Sequence, residues 1–481
     1  MDRKLAAVQK LIKRRANLQA KTNNGNTPLA LAAQIGNVEA TVLLVNSGAS
    51  LTEANDSGWL PVHIAASNDR ANVLEELSRL GASLDARTEK GFTALHIAAE
   101  KGLNDVVDLL IRKGANLNLK TTETGRTPIF QTLFDNRTEV LSRLIKAGAD
   151  LEIKNNLGAT CLYLAVEGKK EAIVRLLLQA GASAASLTST GWSPLNKAVW
   201  DGNLSMIKVM LSCGVNPSIK NKGGHTGLHI AAEKGLTDIA NLLIEGRASL
   251  SMVTDIGNTP LHRAVLENQL EMCKLLILNG ADMNAAQVHT SAFRPLHLAA
   301  ERGFDNIAQT LLLAGAWIES RNKFEETPLH VAVRFGKPNV AQLLLSRGAD
   351  MAARDVNGST PLHTFARADN SRCLSSLMPY ITGYFLNQRD VVKMTPFILA
   401  AYQCKNDALF AFSNKGADVN ASAMDGWTAL HWAAHKNDGE TVKTLLFLGV
   451  SKWRTDENGR KAEDVARANG HYAVARMIAN G

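Results

Sequence analysis

The strongest constraint on this chain is that it repeats itself. The phrase "TALHIAAEKG" at Thr93–Gly102 returns as "TGLHIAAEKG" at Thr226–Gly235, with only Ala94 and Gly227 differing. Anchored on the first letter of that phrase, further copies run "TPLALAA" at Thr27, "LPVHIAA" at Leu60, "TPIFQTL" at Thr127, "TCLYLAV" at Thr160 and "SPLNKAV" at Ser193. They continue as "TPLHRAV" at Thr259, "RPLHLAA" at Arg294, "TPLHVAV" at Thr327, "TPLHTFA" at Thr360, "TPFILAA" at Thr395 and "TALHWAA" at Thr428, and close on a degraded "KAEDVAR" at Lys461. The step is 33 residues, except for 34 from Thr93 to Thr127 and 35 from Thr259 to Arg294 and from Thr360 to Thr395. A unit this short cannot bury an apolar face alone, so copies must stack into a shared core. The length of 481 residues therefore does not divide into the three ordinary domains that length alone would suggest.

The letters of one copy specify its shape. A glycine just ahead of the anchor (Gly25, Gly58, Gly91, Gly125, Gly158, Gly191) supplies turn backbone that other residues resist. The anchor Thr caps a first helix, and Pro fits its first turn, where a missing N–H costs nothing. Paired alanines such as Ala98–Ala99 and Ala231–Ala232 let neighbouring helices approach closely. A second helix follows in "VVDLLIRKGANLN" (106–118) and "AQLLLSRGADMAA" (341–353), with its Leu pair as the core face and Gly-Ala at its left-handed end.

This pattern resembles the ankyrin repeat family over essentially the whole chain, in fourteen anchored copies. The resemblance implies an all-α repeat solenoid of helix-turn-helix units, each with a β-hairpin finger, in one curved stack. At roughly 10 Å per copy the stack would span on the order of 140 Å, with fingers and first helices lining a concave face. Residues 1–21 read as an N-terminal half repeat, because 2–13 align with a second helix, so that Met1 either starts a makeshift cap or marks a cut from a longer chain. Residues 22–455 form the array, irregular at 119–126, 285–294 and 373–396. Residues 456–481 read as a polar C-terminal capping repeat.

No signal peptide or apolar run of membrane-spanning length stands in the sequence. The five cysteines (Cys161, Cys213, Cys273, Cys373, Cys404) are odd in number and widely spaced, which points to reduced thiols in a cytoplasmic, or else nuclear, protein. The net charge of +8 is small and reads as dispersed, apart from the run "KLIKRR" at Lys10–Arg15, a solvated helix face or a basic patch. Eight histidines (His63, His96, His229, His262, His297, His330, His363, His431) hold the fourth place of the TPLH motif. The resemblance implies that each bonds the Thr hydroxyl and nearby backbone. No metal-ligand spacing, phosphate loop or catalytic constellation stands outside the repeat, so no cofactor, no metal and no enzymatic activity are expected.

The remaining function is protein–protein interaction, as a scaffold or adaptor in signalling, with a monomeric solenoid and protein partners. Rival readings are the repeat region of a larger innate-immune or death-fold adaptor or of a channel, and nucleic-acid binding, against which mixed groove charge argues. By resemblance, the residue before each anchor and the residues after the alanine pair face the groove. These are Trp59, Phe92, Trp192, Phe293, Met394 and Trp427 in the first set, and Trp200 with a row Arg302, Arg334, Arg367 in the second. Trp192 and Trp200 form the central candidate hot spot, flanked by Glu167, Asp201, His225, Glu233 and Lys234, unless the finger aromatics serve as extended core. The arginine row would match an acidic peptide. In 373–396, Pro379 interrupts the second helix, Lys393 replaces the usual Gly, and Tyr380, Tyr384 and Phe385 cluster in what is a bend, a contact loop or a plain insertion.

Overall fold

In most copies the anchor opens a first helix of seven or eight residues, and a second of nine follows after a two- or three-residue turn; at Thr127 the first helix is only Pro128–Gln131, followed by the 3-10 turn Phe134–Asn136. The computed structural model describes residues 2–368 and 371–481; Met1, on which the reading of a start or a cut rests, lies outside them. After α1 (Asp2–Lys13), the first complete copy has α2 (Pro28–Ile35) and α3 (Val38–Asn46). Thr27 is extended, and its hydroxyl accepts from the Ala30 N–H at 3.2 Å, while Pro28 holds the first turn. Gly36 ends the helix at φ 90°, the left-handed backbone that favours glycine.

Two compact units emerge, residues 1–227 with 245–248, and residues 228–244 with 249–481. Within the first, α2 packs on the next first helix (Pro61–Ser67), and α3 packs on the next second helix (Ala71–Arg79). The second unit repeats this with Pro295–Arg302 against Pro328–Arg334. The core is the Leu of each TPLH phrase, its alanine pair and the second-helix Val and Leu; Leu95, Ala98, Ala99, Val107 and Leu110 are fully buried.

The fingers are tighter than expected. Among the described residues no strand forms, and only two isolated bridges occur, Ser422–Thr428 and Thr455–Lys461. The reason is local. In most fingers the opening residue has a side-chain oxygen that takes the tip's own N–H groups, Ala423 being an exception. Asn55 Oδ1 accepts from Ser57 at 3.1 Å and Trp59 at 2.9 Å, leaving one backbone closure, Asn55 N–H to Trp59 O at 3.0 Å. Successive tips then bond each other, as in Asn156 N–H to Thr124 O at 3.0 Å and Val356 N–H to Phe324 O at 3.0 Å.

The chain's basic residues serve the same stacking. Lys120 reaches the Lys154 carbonyl at 2.8 Å, Lys154 the Leu187 carbonyl at 2.7 Å, and Arg389 the Ser422 carbonyl at 2.7 Å. Each step is one repeat, so these cations tie loop to loop.

Between Thr360 and Thr395 the expected break is present. In place of one second helix stand the short turns Ser371–Cys373, Leu374–Leu377, Met378–Tyr380 and Gly383–Leu386.

The finger glycine is required twice over. Gly158 has φ 73°, and a Cβ there would lie 2.5 Å from the Ser189 backbone nitrogen of the next finger. Ala292, Glu325 and Lys393 take the same left-handed backbone at φ 54°, 58° and 59°, at a cost of about 1–2 kcal/mol each. Lys393→Gly and Glu325→Gly should therefore raise the stability of the second unit by about 1 kcal/mol apiece, and Gly158→Ala should lower that of the first by more. Urea melts of the three variants check this; a destabilised Lys393→Gly would contradict it.

Candidate interaction surface

The TPLH histidine fixes where the finger of the next copy sits. In the copy at Thr93, the anchor's backbone N–H donates to His96 Nδ1 at 3.1 Å. A backbone N–H can only donate, so Nδ1 is the bare nitrogen and Nε2 carries the hydrogen. That Nε2 donates to the Arg126 carbonyl, just before the next anchor, at 3.1 Å. His262 does the same to Phe293 (3.2 Å), His330 to Ser359 (3.1 Å) and His431 to Arg460 (3.0 Å). Where Asn196 takes the histidine's place, its amide donates to the His225 carbonyl at 3.0 Å.

The finger aromatics lie against these rings. Trp59 meets His63 edge-on at 6.5 Å, Phe92 meets His96 at 5.7 Å, and Phe293 stacks on His297 at 5.6 Å. Phe293 is buried, contrary to the expectation of an exposed anchor; Trp59, Phe92, Trp192, Met394 and Trp427 are half-buried. The insertion that lengthens its finger lets the Phe293 ring fold down over the imidazole, where it is out of water.

Trp192 and Trp200 do converge. Their ring centroids are 5.4 Å apart at 70°, and Trp200 is 42% exposed. Around them Lys197 Nζ lies 2.9 Å from Asp201 and 3.8 Å from Glu167. Burial, then Glu167 and Asp201, push the neighbouring Tyr163 phenol up to about 12. In the second unit Arg263 joins Glu233 (2.8 Å) and Glu267 (3.5 Å). Glu167, Asp201 and Glu233 thus have internal partners.

The arginine row is only partly available. Arg302 is 3.8 Å from Glu301. Arg334 is paired with the buried Glu326, a carboxylate that also accepts from Asn322 at 2.9 Å. Burial holds the Arg334 guanidinium below its usual range, with Arg367 adding to that effect. Arg367 donates to Ser359 Oγ at 3.3 Å. A free basic stripe does not describe these side chains.

Two features escaped the sequence reading. Trp427, Trp432, Tyr402 and His435 form one aromatic cluster, with Trp427–Trp432 at 4.6 Å, Tyr402–Trp432 at 5.0 Å and Trp427–His435 at 5.4 Å. Lys436 Nζ lies 4.2 Å over Tyr402, and the Trp432 indole N–H is buried with no hydrogen-bond partner among the described residues. The signal was the place after TPLH, where Lys197, Arg263 and Trp432 replace the usual Ile or Leu. Second, six successive fingers of the second unit carry exposed apolar tips: Ile256, Val288, Phe324, Val356, Val391 and Met424. In 373–396, Tyr384 is exposed and meets the half-buried Phe385 at 5.4 Å; Tyr380 is half-buried and has no ring contact with either.

A family model for ankyrin repeats, three copies long, matches residues 1–88, 71–155, 129–221, 195–287, 285–355 and 397–481. The chain belongs to the ankyrin repeat family. Residues 356–396 fall outside every match, and there the second helix is broken. This ankyrin chain is 38% identical over 95 residues to an Arabidopsis thaliana protein named as an E3 ubiquitin-protein ligase, XBAT34, covering 18% of the chain and 24% of that protein. It is 32% identical over 77 residues to calmodulin-binding transcription activator 4 of the same plant, covering 15% and 8%. Activator 3 matches at 36% over 69 residues, 13% and 7%. The matches span about a quarter of the first relative's length and less than a tenth of the others'. Ankyrin repeats imply protein–protein interaction. Among the described residues no helix is long and apolar enough to cross a membrane, and no cluster of His, Cys, Asp and Glu could hold a metal ion. Burial pushes the Cys161 and Cys273 thiols up to about 12, so both stay protonated inside the ankyrin core.

The buried imidazoles make the stack acid-sensitive. Burial holds His96, His262 and His330 down to about 4 and His297 to about 3. The unfolded chain takes these protons near pH 6.5 and the fold refuses them, so stability is lost as pH falls from 6.5 toward 4. By pH 5.5 each ring costs about 1 kcal/mol, above the range where carboxylates titrate. Thermal melts at pH 7.5 and 5.0 should differ, and His262→Asn, copying Asn196, should shrink the difference. An unchanged acid shift in that variant would remove the imidazoles as its cause.

Proposed function

We propose that this chain is a non-catalytic scaffold or adaptor that holds segments of protein partners against its finger face, in the cytoplasm or nucleus, with the Trp192–Trp200 pair as the principal contact. The observation that carries this is the exposure of Trp200 beside Trp192. A soluble surface keeps a large aromatic pair in water at a cost that a partner removes, and Trp is the residue most enriched where interfaces concentrate their energy. The flanking ion pairs form a polar rim and contribute little by themselves. The stacked helices hold the rings in place beforehand, so little ordering is required on this side of the complex.

The aromatic cluster at Trp427 and the row of apolar fingertips support the same reading in the second unit. Trp59, Phe92 and Phe293 are weaker candidates, because their rings lie on their own histidines. Tyr384 and Phe385 offer a separate contact on the irregular copy. The arginines Arg302, Arg334 and Arg367 would add charge selectivity for acidic segments rather than much affinity, given their internal partners.

The test is selection of peptides on the purified chain from a displayed library, followed by affinity measurement. Trp192→Ala/Trp200→Ala should weaken the selected peptides at least tenfold, with helicity and melting unchanged. Equal affinity in the double variant would remove the pair from the interface. Loss of fold would place both rings in the core, and the exposed single change Trp200→Ala then decides between the two.

A further inference from the structure

The copy at Thr93 keeps a negative charge that later copies have matched. Glu100, Glu167 and Glu233 each stand seven residues after their anchor, and the cation that answers the last two stands four residues after the next anchor. Lys197 lies 3.8 Å from Glu167, and Arg263 lies 2.8 Å from Glu233. For Glu100 that place is held by Gln131, which is uncharged and buried. Arg137 reaches only the backbone carbonyl of Glu100, at 3.4 Å, and pairs instead with Asp135 at 3.1 Å. Glu100 is exposed, and its carboxylate has no ion-pair partner among the described residues.

That carboxylate borders a hollow of about 550 Å³ between the finger at Trp59, the finger at Phe92 and the first helix Ala94–Lys101, lined also by Glu89 and Ile97. Glu89 is exposed and likewise has no ion-pair partner among the described residues. The two cations at the rim are drawn elsewhere. Lys101 donates to the Ser67 carbonyl at 2.7 Å, and Lys90 lies 4.0 Å from Glu123 of the next finger. The copy at Thr226 has the same helix ending, "IAAEKG", but Lys222 and His225 stand in place of Glu89 and Phe92. Two unmatched acids beside two rings are therefore a property of this copy and not of the repeat.

We propose that this hollow takes an arginine side chain from an extended segment of a partner protein, its guanidinium answering Glu89 and Glu100 and its plane lying against Trp59 and Phe92. The partner supplies from outside the charge that Lys197 and Arg263 supply from inside in later copies. A guanidinium suits both kinds of wall, because it forks onto carboxylates, stacks on aromatic faces and gives up its water more readily than an ammonium. The volume is in the range of pockets that hold a side chain or a small ligand. An ion pair in open water contributes little, whereas one shielded by the two rings and Ile97 is strengthened by the lower local dielectric. The inference rests on the reading of the finger face as a protein-binding surface, at a place apart from Trp192 and Trp200.

The probe is a displayed library of short random segments with one fixed central arginine, selected on the full chain. Excess soluble Glu89→Gln/Glu100→Gln chain is present as competitor and removes every segment bound elsewhere. Both changes are isosteric and lie on exposed side chains; Glu100→Gln alone serves if the double change lowers the melting temperature. Segments should survive this competition. Their synthetic versions should bind the unaltered chain, and should weaken by about tenfold or more when citrulline, which keeps the shape and lacks the charge, replaces the arginine. No survivors, or equal affinity for the citrulline segments, would overturn the proposal. So would a parallel selection with the central residue fixed as glutamate that yields the tighter segments, since the hollow would then belong to Lys90 and Lys101. Segments recovered only without the competitor, and lost in Trp192→Ala/Trp200→Ala, would leave the general reading of the finger face standing while this one fails.

Discussion

A neutral imidazole buried between two copies is the interaction on which the rest of the stack's register depends. Apolar burial drives stacking, but it is non-directional and tolerates sliding. The ring is directional at both nitrogens. Nδ1 is committed to the anchor of its own copy and Nε2 to the carbonyl that precedes the next anchor, 30 residues on at His96 and 29 at His330, with His63 instead reaching the Ala86 carbonyl. A shift of one residue would leave both a buried nitrogen and a buried carbonyl without partners, at about 1–3 kcal/mol each. The cost of the arrangement is acid sensitivity, and Asn196 shows that the bridge itself needs only a donor of the right reach. The finger aromatics extend the same device. Set against the imidazoles of His63, His96 and His297, they keep water from the bridges and help to hold the rings neutral.

That double use explains which parts of the surface were legible in the sequence. The helices, the cap at Thr27 and the broken helix after Thr360 follow from a 33-residue period and local residue chemistry, while the common face of Trp192 and Trp200 was implied by the family resemblance. Contacts one period apart do not announce themselves in the same way. Lys197 meets Glu167 and Arg263 meets Glu233 only after stacking sets residues 30 apart side by side, so carboxylates that looked available are already paired. Arg334 looked like one step of a basic row until the fold buried Glu326 beside it. Phe293 looked exposed because its place in the motif is a finger place, yet the longer finger turns the ring inward. The hairpins fell short of strands because Asn55 and its equivalents spend their side-chain oxygens on the tip.

What remains after this internal accounting is informative by its chemistry. Charges on the finger face are mostly matched within the chain, and the basic loop residues are held by carbonyls one repeat away. Aromatic and aliphatic surface is what stays uncovered, at Trp200, in the cluster around Trp432 and along the fingertips from Ile256 to Met424. Interfaces take their energy from such side chains and their selectivity from the polar rim. The distribution is uneven, with six successive exposed apolar tips in the second unit, while Leu157 is such a tip in the first. One chain can therefore present surfaces of different chemistry on a single repeated plan.

The same plan limits how faults spread. In a stack where each copy touches only its neighbours, stability is a sum of local terms and of interfaces between adjacent copies. The copy at Thr360 keeps its first helix, its bridge from His363 to Met394 at 3.0 Å and its place against the next first helix, while its second helix is reduced to short turns. Continuity of the first-helix layer is then enough to carry the register across the break, and the second-helix layer is where variation is tolerated. Tyr384 and Phe385 project from that tolerant layer, as contacts can where packing has been relaxed without the array coming apart. In the second unit the bridged fingers are more tightly fixed, since His262, His297, His330 and His363 each hold the carbonyl just before the next anchor.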